Sequence, residues 1–331
     1  MPGIVKRPSN KKTSVSVLSR FERSAEFGIL IPLIVIIAIT SVINRNFLTL
    51  TNFTTILKIL PFNAIATLGI SFVLLTGNID ISIGRIAGLS GMVFPYCMMV
   101  LKLNPVTSLF IALLIGTLIG LVNGFLVVVV GIPDFVATIG TLYAAGGARF
   151  LLTKGYPLSP LPFGIGKIGD AKPLGLSWPL IFAVILFIIV EFVLKKTLFG
   201  RRLLATGDNR EVAALAGINV KRMRMTAYSI SGFFAAVAGV LLTIDLDNGM
   251  PQNGDGWEFK AIASCAVGGV SLTGGKGSSL GVAIGVLIIF IVDNSLVMIG
   301  VPSAIQKSVT GIILGGAVMF DIAKQRKKIK G

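Results

Sequence analysis

Ten stretches of apolar residues, most of them close to the ~20 residues that cross a bilayer as an α-helix, recur along this 331-residue chain and constrain it more than any motif does. They cover residues 27 to 43, 54 to 76, 86 to 101, 106 to 130, 133 to 153, 176 to 194, 225 to 244, 259 to 273, 279 to 299 and 303 to 320. In hydrocarbon every backbone N–H and C=O must be matched inside the protein, and a helix does this within one segment. The spacing therefore predicts an all-α, polytopic membrane helix bundle of about ten transmembrane helices, of which the eighth, short and glycine-rich, is the weakest. The first run follows a basic stretch as a signal peptide would. Its preceding 26 residues are long for an n-region and no small-residue cleavage pattern follows, so it reads as an uncleaved span. Composition agrees: 13% of residues are charged, about half the share usual in soluble domains.

The charge distribution orients this bundle. Residues 1–26, 195–224 and 321–331 hold 19 of the 30 Lys and Arg residues against five acidic ones. Basic charge confined to tails and one long loop beside apolar runs is the positive-inside pattern, and it lacks the aromatic interleaving of a nucleic-acid surface. It divides the chain into a cytoplasmic basic N-terminal tail (1–26), a transmembrane domain (27–320) carrying a cytoplasmic loop (195–224), and a cytoplasmic basic C-terminal tail (321–331). Six runs precede the loop and four follow it, so the parity holds at both steps.

Several chemistries are excluded. The chain has no histidine, which removes imidazole-based catalysis and the usual His-bearing metal sites. Cys97 and Cys265 stand far apart in apolar runs and read as inert thiols, so no metal site is expected. The string TGGKGSS, Thr273 to Ser279, is the nearest approach to a phosphate-binding loop. Its leading glycine would fall on Val270, and Gly277 follows Lys276 where Ser or Thr is required, so it binds no ATP by that motif.

Glycine has a positional meaning here. Gly116, Gly120 and Gly124, Gly281 with Gly285, and Gly311 with Gly315 stand at the spacing that lets membrane helices approach closely. A possible internal repeat also appears: GNIDISIGR, Gly77 to Arg85, aligns with GGVSLTGGK, Gly268 to Lys276, and FNAIAT, Phe62 to Thr67, with FKAIAS, Phe259 to Ser264. Chance likeness between apolar, glycine-rich strings is the alternative. Repeats with glycine-broken helices are a common way to build a pathway, which makes Gly77, Asn78, Asp80, Gly84, Gly268, Gly269, Gly274 and Gly275 helix-break and pathway candidates. For Asp80 the expected role is structural, its carboxylate accepting hydrogen bonds from amides freed by the break; an ion or proton site is the sharper reading. Asp293 is the one acid well inside a clear span, and a cation on a neighbouring helix is expected to pair with it.

The cytoplasmic loop reads TLFGRRLLATGDNREVAALAGINVKRMR from Thr197 to Arg224. Asp208 or Asn209 suits a helix N-cap, Glu211 falls in the first turn, and Gly217 suits the end, which predicts a short helix over Asn209 to Ala216. It would display Val212, Ala213, Leu215 and Ala216, as a docking element or as an ordinary connector.

With this loop in view, four segments resemble those of permease subunits of ABC importers of the ribose, xylose and galactose class: Thr76 to Gly91, Asp134 to Ala148, Phe199 to Val220 and Phe259 to Ser278. The third resembles their EAA loop. The resemblance implies that Asn209, Glu211, Ala213, Ala214 and Gly217 belong to a helix coupling the permease to its ATPase. One departure is Asn78, where the family usually has a second glycine; asparagine tolerates left-handed backbone, so the same turn is expected. The resemblance further implies cytoplasmic ATP-binding subunits holding ATP and magnesium, no cofactor on this chain, an extracytoplasmic solute-binding protein and a second permease subunit, identical or homologous. It implies contact with membrane lipids, no nucleic acid, and a bacterial or archaeal inner membrane. The solute would be a monosaccharide; a branched-chain amino acid permease or a stand-alone ion-coupled transporter using Asp80 or Asp293 are the alternatives.

Overall fold

The computed structural model describes residues 27–169 and 171–329, so the basic tail expected at residues 1–26 lies outside the described residues. The main helices are α1 (Phe27–Ile43), α2 (Leu50–Leu75), α3 (Ile83–Met99), α4 (Pro105–Phe125), α5 (Asp134–Thr153), α6 (Trp178–Lys196), α7 (Leu198–Asp208), α8 (Arg210–Leu215), α9 (Val220–Asp245), α10 (Trp257–Val267), α11 (Ser279–Met298) and α12 (Ser303–Ile329). Among the described residues no strand forms; Leu158 and Gly249 make an isolated antiparallel bridge.

Six helices are long and apolar enough to cross a membrane: α2, α4 together with its π-helical extension Leu126–Val130, α5, α6, α9 and α11. The expectation of about ten transmembrane helices is met only to that extent. The runs at 27–43 and 86–101 form helices of 17 residues, and the tenth run lies in α12, which continues as helix to Ile329 through most of the expected C-terminal tail. The eighth run is corrected: its helix, α10, has 11 residues and stops at Val267 instead of reaching residue 273. Glycine is the cause, since Gly269, Gly274 and Gly275 all take left-handed backbone that a helix cannot continue through.

Starts are set by local side chains. Asn104 caps α4, its side chain accepting from Thr107 N at 2.9 Å with Pro105 in the first turn, and Ser278 caps α11 by accepting from Gly281 N at 3.0 Å. Helix α9 is the hub of the bundle and packs against α2, α3 and α4. Gly116 and Gly120 of α4 press on Ala236, Gly232 and Tyr228 of α9 with no space for a methyl group, and Gly281 and Gly285 of α11 do the same against Gly268 and Ser264. Among the described residues nothing lies within 4 Å of where a Cβ would stand on Gly311 or Gly315, so the third glycine pair makes no such close approach there. Polar pairs pin the opposite end of the bundle: Asn52 and Asn294 exchange two hydrogen bonds of 2.9 Å, and Asn44 Nδ2 donates to Met298 O at 2.8 Å.

The two similar segments lie side by side and run the same way. Cys265 Sγ is 3.7 Å from Thr67 O, and further along both chains Gly275 N donates to Leu75 O at 3.0 Å. Each segment is a helix, then a glycine break, then a helix that turns back: α2 into α3, and α10 into α11.

Candidate coupling and translocation site

The first break follows from Gly77. Helix α2 ends at Leu75, Gly77 takes a φ of +69°, and the chain stays non-helical until α3 begins at Ile83. This frees backbone amides in an apolar interior, where each unmatched group costs several kcal/mol. Asp80, fully buried, answers part of that need: its Oδ1 accepts from Ser82 N at 2.9 Å and Ser82 Oγ at 2.6 Å, and its Oδ2 accepts from Ser231 Oγ of α9 at 2.9 Å. Asn123 of α4 donates to Ser82 Oγ at 2.9 Å and accepts from Thr141 Oγ1 of α5 at 2.5 Å. A chain of hydrogen bonds thus ties the break to three neighbouring helices.

The short helix in the basic loop forms as α8, six residues long. Asn209 caps it, accepting from Glu211 N at 3.0 Å and Val212 N at 3.1 Å, and Gly217 leaves it at a φ of +79°. Leu215 is 88% exposed and Val212 60%, so an apolar surface stands outward at one end of the bundle. Glu211, Ala214 and Ala216 are exposed beside them. Ala213 is corrected: it was expected on the displayed face and is 3% exposed, packed inward where its small side chain lets α8 lie close to the structure beneath it.

The basic loop and both breaks converge. A side chain at Gly207, near the end of α7, would overlap Leu75 O, and Gly275 lies against Asp208; a Cβ at Gly274 would sit 2.6 Å from Gly77 N. Arg210, the first residue of α8, donates from Nη2 to Gly77 O at 2.9 Å, Asn78 Oδ1 at 3.2 Å and Thr76 O at 3.3 Å. Asn78 does not take the left-handed turn expected of it; Gly77 does, and Asn78 instead uses its amide. Its Oδ1 also accepts from Arg224 Nε at 2.8 Å, and its Nδ2 donates to Asp134 Oδ2 at 3.1 Å. Asp134 in turn accepts from Ile79 N at 2.8 Å, and Tyr228 OH donates to Ile79 O at 3.1 Å.

Gly84 belongs to a different junction. It meets Gly254 in the segment between α9 and α10, where a Cβ on either residue would overlap the other's carbonyl oxygen. Around this crossing, Asp255 accepts from Arg149 Nη2 of α5 at 2.5 Å and pairs with Arg85 of α3, while Arg149 Nη1 donates to Asn253 O at 3.0 Å. Arg149 is 1% exposed, so its charge is held almost wholly by this contact. Glu258, also buried, approaches Gly84 from α10. Asp293 finds its cation in Lys260 of α10, with Nζ 2.6 Å from Oδ2.

The structure therefore gathers Gly77, Asn78, Gly274 and Gly275 against residues 207, 208 and 210 of the basic loop, beside the cap Asn209, and leaves Asp80 further into the break, bonded to Ser82 and Ser231. It places Gly84 at the second junction, and Gly268 at the contact of α10 with α11, where a Cβ would overlap Gly281. Gly269 turns the chain with no neighbour within 4 Å of its Cβ position. Sequence reasoning passed over Arg210 as a site residue. A cation in the first turn of a helix opposes the helix dipole, and that misfit was a readable sign of another employment. Asp255 carried no such signal, because its partners are 170 and 106 residues away. Among the described residues no cluster of three or more metal-ligating acids or thiols occurs.

Residues 52–318 match the family described as branched-chain amino acid transport system, permease component. The chain is similar to the ribose import permease protein of Bacillus subtilis, 36% identical over 301 residues that cover 90% of this chain and 93% of that protein. It is 35% identical to the ribose import permease protein of Escherichia coli, covering 89% and 93% of the two chains. The autoinducer 2 import system permease protein of Yersinia pestis is 33% identical over 313 residues, covering 92% and 87%. No solved structure matches the chain.

Proposed function

Because the chain belongs to the family of permease components of branched-chain amino acid transport systems, with relatives named for ribose import over nine-tenths of its length, we propose that it forms the membrane pathway of an ATP-driven importer of monosaccharides. It is a multi-pass membrane protein and a transport subunit of an ABC importer, not an enzyme. The family description names amino acids, but the relatives' names favour a sugar, with ribose or a similar pentose or hexose as the solute. The observation that carries the mechanism is an exposed helix, α8, joined by hydrogen bonds to a break in the membrane helices at Gly77 to Ser82.

In this reading α7 and α8 lie on the cytoplasmic side, and α8 is the coupling helix, with Glu211, Ala214 and Gly217 placing Val212 and Leu215 against an ATPase subunit. ATP and magnesium are bound by two such partners. A binding protein on the other side delivers the sugar, and a second permease subunit, identical or homologous, completes the pathway. Helices α1, α3, α10 and α12 add to the six long ones to give ten crossings, with α10 and the segment before it making one crossing between them. Both termini are then cytoplasmic, in agreement with the basic tails. The pathway needs no strong sugar site, since selection lies with the binding protein.

The test is uptake of labelled ribose into proteoliposomes holding the chain, its ATPase and its binding protein. Import is expected only with ATP and all components present. Uptake by the chain alone under a proton or sodium gradient would overturn the reading in favour of an ion-coupled transporter.

A further inference from the structure

Arg210 and Asn78 are the polar contact between the exposed helix α8 and the broken membrane helix. Helix α8 packs against α7 and the start of α9, and among its described side chains Arg210 is the one that hydrogen-bonds into the bundle. Its three acceptors are two carbonyls left unmatched where α2 ends and the amide oxygen of Asn78, which is 4% exposed. All three lie on Nη2, whose two protons they share, so the set is made only while that nitrogen stays in place. A hydrogen bond is lost when its atoms separate much beyond 3.5 Å, so a shift of α8 by an ångström or two releases the set.

What lies beyond Asn78 is equally connected. Asn78 and Ile79 share Asp134 at the start of α5; Asp80 holds Ser231 of α9; Ser82 leads through Asn123 to Thr141, two helical turns along α5. Backbone bonds from Thr76, Gly77 and Asn78 to Val73 and Leu74 close the end of α2, and from Ile79 to Ser82 the side-chain bonds hold the segment. Arg210 enters the network from outside the membrane helices.

We propose that Arg210 and Asn78 are a positioning pair through which displacement of α8 changes the conformation of the break at Thr76 to Ser82, and through it the placement of α5. Neither residue touches the solute. The proposal rests on the importer reading above and adds to it the contact that links ATP hydrolysis to sugar movement.

The experiment compares wild type, Arg210→Gln, Arg210→Lys, Asn78→Ala and the Arg210→Gln/Asn78→Ala double variant in the reconstituted complex. Ribose imported per ATP hydrolysed is the readout, with thermal melting as the check on folding. Each of the Gln and Ala variants is expected to lower that ratio about tenfold while hydrolysis continues. The double variant should fall by clearly less than the product of the two single losses, because the two changes share the Arg210–Asn78 contact while each also removes bonds of its own, and Arg210→Lys should recover part of the loss. Losses that multiply in the double variant, or a ratio that stays at the wild-type value in folded variants, overturn the proposal. A second readout uses the purified chain alone: amide hydrogen exchange over Thr76 to Ser82 is expected to rise about tenfold in Arg210→Gln. Unchanged exchange there overturns the proposal even if ribose is imported. Raised exchange in a complex that imports no sugar would place the failure in the importer reading instead.

Discussion

Gly84 and Gly254 press together so closely that a methyl group on either would overlap the carbonyl oxygen of the other. They stand at the point where the start of α3 meets the segment leading into α10, and this contact sets how near the two can lie. Gly254 also takes a φ of +83°, so alanine there is strained by backbone as well as by space. Gly84→Ala is expected to destabilise the protein by about 3 kcal/mol, and Gly254→Ala by at least as much. Gly140→Ala, with nothing within 4 Å of the new carbon, is the control and should melt as wild type does. Thermal unfolding in detergent distinguishes these outcomes.

Asp255 holds two guanidiniums at that junction. Asp255→Ala leaves Arg149 buried without its carboxylate, at a cost of about 3 to 5 kcal/mol. Arg149→Met is expected to cost less, since Asp255 is 42% exposed and keeps Arg85. If the aspartate variant proves the more stable of the two, the ion pair does not hold the junction.

Lys260 and Asp293 are a matched pair between α10 and α11. Asp293→Asn leaves the partly exposed Lys260 ammonium without its carboxylate, a loss of about 1 kcal/mol. Adding Lys260→Gln should restore most of the stability and of the ribose uptake. An ion-binding role for Asp293 predicts the opposite, with uptake absent in both variants.

Leu215 and Val212 present the surface of α8. Leu215→Glu is expected to abolish capture of an ATPase partner in a pull-down while shifting stability by less than about 0.5 kcal/mol. Ala213→Trp should instead destabilise by about 1 to 3 kcal/mol, because Ala213 faces inward. Retained capture by the glutamate variant would move the docking surface elsewhere.

Asp80→Asn replaces an acceptor-only group with an amide, one end of which must face the donors Ser82 or Ser231. A loss of about 1 to 3 kcal/mol follows from the mismatch. Uptake by the complex should remain independent of sodium and of the proton gradient; dependence that vanishes in the variant would assign Asp80 to an ion site.

What the sequence disclosed, and what it withheld, divides by distance along the chain. Asn209 and Gly217 bracket α8 because caps act over two or three residues, and the apolar runs mark the long helices because bilayer thickness is a local demand. Asp80 was readable for the same reason, since Ser82 is its neighbour. Arg210 and Asn78 are 132 residues apart, and nothing in either local pattern names the other. The inward turn of Ala213 depends on what lies beneath α8. The length of α10 was misjudged because apolar residues continue past Val267 while the glycines among them bend the backbone out of the helix.

With 11 residues, α10 extends about 16 Å, half of what a bilayer demands. Such a segment cannot span hydrocarbon by itself and depends on its neighbours, α11 and α12 above all, with α2 beside them. The last third of the chain therefore stands or falls as one unit: α10 stays at membrane depth only while the two helices that follow it in sequence hold it there.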